Sequence, residues 1–122
     1  MKIIFAEMSW FTQRLKARLG DSAYRRFQED LLRNPQRWGA MPGCGGLRKA
    51  RFSDESRGKG KRGGVRIIYL WIPEAFRIDL FDIYGKDEKD DLSSFEKREL
   101  TKMLKQVRAE AIQRYRRSGD NL

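Results

Sequence analysis

Val65-Arg66-Ile67-Ile68-Tyr69-Leu70-Trp71-Ile72, followed by Pro73-Glu74-Ala75 and Phe76-Arg77-Ile78-Asp79-Leu80-Phe81-Asp82-Ile83-Tyr84, carries the strongest pairing signal in the chain. The first eight residues are apolar on both alternating faces except for Arg66, the pattern of a strand buried inside a sheet. Proline starts a turn because its ring fixes φ and removes an amide donor, so Phe76 to Tyr84 is expected to fold back as a partner strand. A cation in such a run needs a reason. Arg66 either pairs with Asp79 or Asp82 on the neighbouring strand, or reaches the end of the sheet and offers its planar fork of donors to a phosphate.

Upstream, Leu47 to Phe52 reads as a further strand, with Lys49 and Arg51 on one face and Arg48, Ala50 and Phe52 on the other. The basic, glycine-rich loop Arg57 to Gly64 joins it to the hairpin. Prolines and glycines between Asn34 and Gly46 make that segment an irregular connection, which Trp38 and Met41 are placed to anchor. Before it, Trp10, Phe11, Leu15 and Leu19 recur at helical spacing until Gly20. Asp21 is placed to cap a second helix, whose face of Tyr24, Phe27, Leu31 and Leu32 ends before Pro35. Residues 2–6 suit a short strand.

Downstream, Ser93-Ser94-Phe95-Glu96 is a capping box, preceded by Asp87, Glu88, Asp90 and Asp91, whose charge favours the positive end of a helix. Helical spacing then holds through Leu100, Met103, Leu104, Val107, Ala111 and Tyr115. The order β-α-α-β-β-β-α with short turns predicts an α+β fold, a small antiparallel sheet with two N-terminal helices and a C-terminal helix. The 122 residues suit one domain, expected over residues 1–117, with 118–122 a frayed tail.

Twenty-seven Lys and Arg against seventeen Asp and Glu give a formal net charge of +10, which calls for an anionic partner, nucleic acid before a membrane surface or an acidic protein. Cys44 is the one cysteine, so no intramolecular disulfide forms, and without histidine no zinc site is expected. No apolar run approaches the ~18 residues that cross a bilayer. The expected setting is the cytoplasm, with no membrane association and no cofactor.

Lys49, Arg51, Lys59, Lys61, Arg62 and Arg66 gather in one strand-loop-strand unit, where cations on one sheet face make a groove for phosphates. The competing explanation is that Lys49 and Arg51 only blunt an edge strand and the loop is a solvated linker. The loop lacks the Lys-Ser/Thr pair and following helix of a phosphate loop. Absence of histidine rules out an imidazole triad and leaves Lys, Arg and Tyr for chemistry. That set suits metal-free RNA cleavage, in which the ribose 2′-hydroxyl attacks the adjacent phosphorus while the protein positions it and stabilises charge. The acidic run before the last helix reads as capping and dipole compensation, not as a metal site.

Gly46-Leu47-Arg48-Lys49-Ala50-Arg51, the Gly58-to-Gly64 loop, Val65-Arg66-Ile67-Ile68-Tyr69 and Asp82-Ile83-Tyr84-Gly85-Lys86-Asp87-Glu88, taken together and in order, resemble the RelE/HigB toxins of type II toxin–antitoxin systems. The likeness spans roughly residues 20–115. It implies binding in the ribosomal A site, cleavage of the mRNA there, and a neutralising antitoxin, often of the helix-turn-helix type. It also implies catalytic roles for the positions matching its basic strand residues, Lys49 and Arg51, and its strand-opening arginine, Arg66. The family's late basic position falls closest to Lys86. Members of the RelE branch carry a tyrosine where this chain reads Asp90-Asp91-Leu92-Ser93-Ser94; either Tyr84 substitutes from the strand or the group is dispensed with. Arg48, Lys59, Lys61 and Arg62 would grip RNA. A non-catalytic ribosome- or RNA-binding module is the alternative, and a DNA-binding regulator is weaker because no recognition helix stands out.

Overall fold

The computed structural model describes residues 2–53 and 64–119. In chain order these form β1 (Ile4–Glu7), α1 (Ser9–Arg18), α2 (Asp21–Arg33), β2 (Arg48–Phe52), β3 (Val65–Ile72), a short 3-10 turn (Pro73–Ala75), β4 (Arg77–Gly85) and α3 (Ser94–Arg117). The α+β class and the order of elements agree with the sequence reading. The sheet itself is mixed: its strand order is β1-β4-β3-β2, with β3 antiparallel to both neighbours and β1 parallel to β4. A parallel edge requires a long crossover. Here α1 and α2 supply it, carrying the chain over one face from the β1 edge to the β2 edge.

That face buries Phe11, Phe27 and Leu31 of the two helices against Ala50, Ile67, Tyr69, Ile78 and Leu80. On the other face, Leu100, Leu104 and Ala111 of α3 meet Leu47, Ile68, Leu70, Phe81 and Tyr84. With helices on both faces, β4 is buried at every position from Arg77 to Gly85. Leu80 pairs with Tyr69 and Asp82 with Ile68, so Phe81 is an extra residue in β4 and turns toward α3.

β1 pairs β4 only as far as Leu80. Beyond it α1 seals the edge: the Trp10 indole donates to the Phe81 carbonyl and Arg14 meets Asp82 at 2.6 Å. At the start of α2, Gly20 is the cap residue and Asp21 the first helical residue, so Asp21 acts on the helix dipole and makes no capping bond. α3 opens as its sequence predicts, with Ser93 accepting from the Glu96 amide and Glu96 accepting from the Ser93 amide.

The connection before β2 is held by both anchors, Trp38 against the α1–α2 core and Met41 in the α3 core. Gly45 sits at φ +66, where a Cβ would stand 2.7 Å from Leu104 Cδ1. Only glycine lets this turn lie so close to α3.

Candidate functional site

In β2 and β3, successive residues face opposite sides, and cross-strand partners share a side. Arg51 is opposite Arg66, and Arg66 is opposite Tyr84, so these three form one row across the sheet. The next row is Lys49, Ile68 and Asp82. Both rows lie on the α3 face, where Arg51 is exposed and Lys49 and Arg66 are partly buried.

Lys49, Arg51, Trp38, Met41, Asp91 and Lys97 line a concavity of about 340 Å³ beside β2. The Asp91 carboxylate bridges two ammonium groups there, Lys49 at 3.3 Å and Lys97 at 2.9 Å, and also accepts from the Leu92 amide at 2.8 Å. Burial alone would raise the Asp91 carboxyl, but hydrogen bonds from Lys97, the Leu92 amide and Lys49 together hold it below the usual carboxylate range. Arg51 is exposed and Arg66 half-buried. Neither alternative partner of Arg66 is available: Asp79 is clasped by Arg77 at 2.7 and 2.9 Å, and Asp82 by Arg14. Among the described residues no carboxylate makes an ion pair with Arg66 or Arg51.

Tyr84 is fully buried at the end of its row, and its hydroxyl has no hydrogen-bond partner among the described residues. Burial pushes the phenol up to about 12; Asp91 adds to the shift and Arg66 opposes it. Lys89 Nζ lies 5.0 Å from the Tyr84 ring centroid and 2.7 Å from Glu96. Tyr84 is thus a neutral group beneath the cations. Lys86 is exposed just past β4, where its amide donates to the Gly64 carbonyl at 3.1 Å, at the same end of the sheet as Arg66.

No known protein-family profile matches the sequence. The fold does find a match: a solved structure of a double arginine-to-alanine mutant of the E. coli toxin RelE in the free state superposes with a TM-score of 0.53. That match covers 74% of this chain and 90% of the other, at 13% identity. The chain has the fold of the RelE toxin. A crystal structure of isolated E. coli RelE is also similar, at 14% identity over 84% of this chain and 99% of that one, with a TM-score of 0.49. Among the described residues no helix is long and apolar enough to cross a membrane.

Within this RelE-like fold, Lys49, Arg51 and Arg66 come together on one sheet face, and Lys86 stands at its end. Arg48 does not join them. It points to the opposite side and donates to the carbonyls of Trp38 at 2.6 Å and Gln36 at 3.4 Å, tying the connection to β2. Lys59, Lys61 and Arg62 lie outside the described residues. The acidic run before α3 does more than favour its N-terminus: Asp87 and Glu88 pair with Arg18 of α1 at 3.1 and 2.7 Å, and Asp91 enters the basic concavity. Asp91 and Lys97 were missed as site residues. They are 42 and 48 positions from Lys49, and no local pattern signals the encounter.

Proposed function

We propose that this chain is the toxin of a type II toxin–antitoxin system, an endoribonuclease that cuts mRNA in the ribosomal A site and so stops translation. One observation carries the reading: in a RelE-like fold, Lys49, Arg51 and Arg66 share one face of β2 and β3, and Lys49 and Arg51 line a concavity open to solvent. Arg51 and Arg66 hold the scissile phosphate, and Lys86 adds charge next to them. The ribose 2′-oxygen attacks phosphorus as its proton passes to water; the bond to the 5′-oxygen breaks, and the Lys49 ammonium, steadied by Asp91, gives that oxygen a proton. The products are a cyclic 2′,3′-phosphate and a 5′-hydroxyl. Fixed arginines stabilise the crowded negative charge without reorganising.

Tyr84 takes a positioning role in this scheme, its buried ring standing cross-strand from Arg66 while its hydroxyl, without a partner among the described residues, does not reach RNA. Residues 1–117 act as one toxin domain in the cytoplasm, with a cognate antitoxin, of helix-turn-helix type, as the neutralising partner. Ribosomes programmed with a defined message and mapped by primer extension test the reading. A-site cuts are expected from the wild type, reduced by ~10²–10³ in Arg66→Ala, as for loss of one charge-stabilising donor. Tight ribosome binding with an intact message would replace the enzyme by a binding module.

A further inference from the structure

Pro42 and Lys97, which line the concavity at Lys49 and Arg51, also line a second one of about 370 Å³ on the other side of the ridge they form. The rest of its wall includes Cys44, Ser94, Arg98, Thr101 and Lys102. Three basic residues therefore line one small space with Ser94 and with Thr101, whose hydroxyl donates to the Lys97 carbonyl at 2.6 Å, and among the described residues no carboxylate lines it. Arg98 is exposed and makes no ion pair among the described residues; Lys102 pairs with Glu99 at 2.9 Å, with both side chains largely in solvent. Such an exposed pair is worth little and yields readily to a phosphate.

The opposite flank of α3 shows what a different charge balance would mean. Its groove, of about 780 Å³, is lined by Glu7, Asp79, Glu99 and Glu110 against Arg77 and Lys102, a surface that repels a polyanion. Among the described residues, only on the Lys97 side do concavity, cationic lining and continuity with the proposed cleavage site coincide.

We propose that the second concavity is a subsite for single-stranded RNA, in which Arg98 and Lys102 hold a phosphodiester of the message flanking the scissile one, with Lys97 serving both. The inference rests on the cleavage reading for its scissile phosphate, but RNA binding tests it separately. The site would set how the strand leaves the cleavage centre, across the Pro42–Lys97 ridge, and would favour longer substrates over a dinucleotide.

The test uses the full chain and fluorescent 2′-O-methyl oligoribonucleotides, which bind but cannot be cut, in a dinucleotide and a hexanucleotide form. Arg98→Ala/Lys102→Ala changes two exposed helix positions to the best helix former, so folding is retained. At ~0.7 log units of salt slope per lost single-strand contact, the pair should flatten the hexanucleotide's salt slope by about 1.4 and weaken its binding about 25-fold at ~0.1 M salt. Dinucleotide binding should be unchanged. Lys105→Ala/Arg116→Ala removes the same charge from α3 outside the concavity and should leave both probes within about twofold.

An unaltered hexanucleotide affinity, or an equal loss in the control pair, overturns the proposal. So does a wild type that fails to bind the hexanucleotide, even if it cuts message on ribosomes. A loss confined to ribosome binding would assign the concavity to ribosomal RNA and overturn it for the message. The selective hexanucleotide loss without any A-site cuts would uphold the subsite and sink the cleavage reading.

Discussion

Replacing Tyr84 with Phe removes a single oxygen from the centre of the sheet and separates two roles that a buried tyrosine can have. The ring is fully buried and Lys89 stays 5.0 Å from its centroid, so packing and the cation–π contact survive the change. What disappears is a hydroxyl without a hydrogen-bond partner among the described residues. Burying such a group costs ~1–3 kcal/mol, and the lower end applies here because Arg66 and Lys89 still act on its dipole. Unfolding entropy of about 2.1 cal/mol/K per residue, over 122 residues, converts 1 kcal/mol into about 4 °C.

Tyr84→Phe is therefore predicted to melt about 4 °C above the wild type by calorimetry, and to keep A-site cleavage within about threefold. A melting point about 4 °C lower would refute the reasoning, since it would mean that the hydroxyl makes a bond in the folded protein. A variant that is stabilised but slower by ~10² or more would put the hydroxyl on the substrate as an acid or base, against the positioning role assigned to it.

Ser93→Ala breaks the capping box at α3 and should cost about 1 kcal/mol, read as a fall of about 4 °C in melting temperature; no change would mean that α3 does not depend on its cap. Arg77→Met leaves Asp79, 2% exposed, without its bidentate partner and should cost ~3–5 kcal/mol in urea unfolding, whereas Arg77→Met/Asp79→Leu should recover most of that loss. Additive losses in the double variant would show that packing, not the stranded charge, sets the cost. Lys89 and the Ser93 amide hold the Glu96 carboxyl below its ordinary range, and Asp91 is likewise depressed, so the stability these two contribute is complete above their unfolded values near ~4 and is lost as pH falls through the folded ones. Burial raises the Asp82 carboxyl against the pull of Arg14, so Asp82 gains stability as pH falls. Asp82→Asn should accordingly steepen the acid loss in urea titrations, and a shallower limb would contradict the assigned sign.

Much of the fold was legible because its signals are local. The β3–β4 hairpin follows from an apolar run, a proline turn and a second apolar run; α3 follows from a capping box and six apolar positions at helical spacing. The pairing of Lys49 with Arg51 on one face also needs nothing beyond the alternation of a strand. The parallel placement of β1 was not legible, because four residues carry no mark of direction and the choice depends on the crossover that α1 and α2 make.

The site divides in the same way. Sequence alone determined that the chain is strongly basic and free of histidine, and it placed most of the candidate cations on β2 and β3 or the loop between them. Tertiary structure decided which of these meet. Register set Arg51, Arg66 and Tyr84 in one row, buried the Tyr84 hydroxyl, and turned Arg48 to the opposite face. The segment before α3 brought Asp91 between Lys49 and Lys97. Propensity and periodicity act over a few residues, whereas encounters between side chains more than 40 positions apart depend on how the whole sheet and α3 pack.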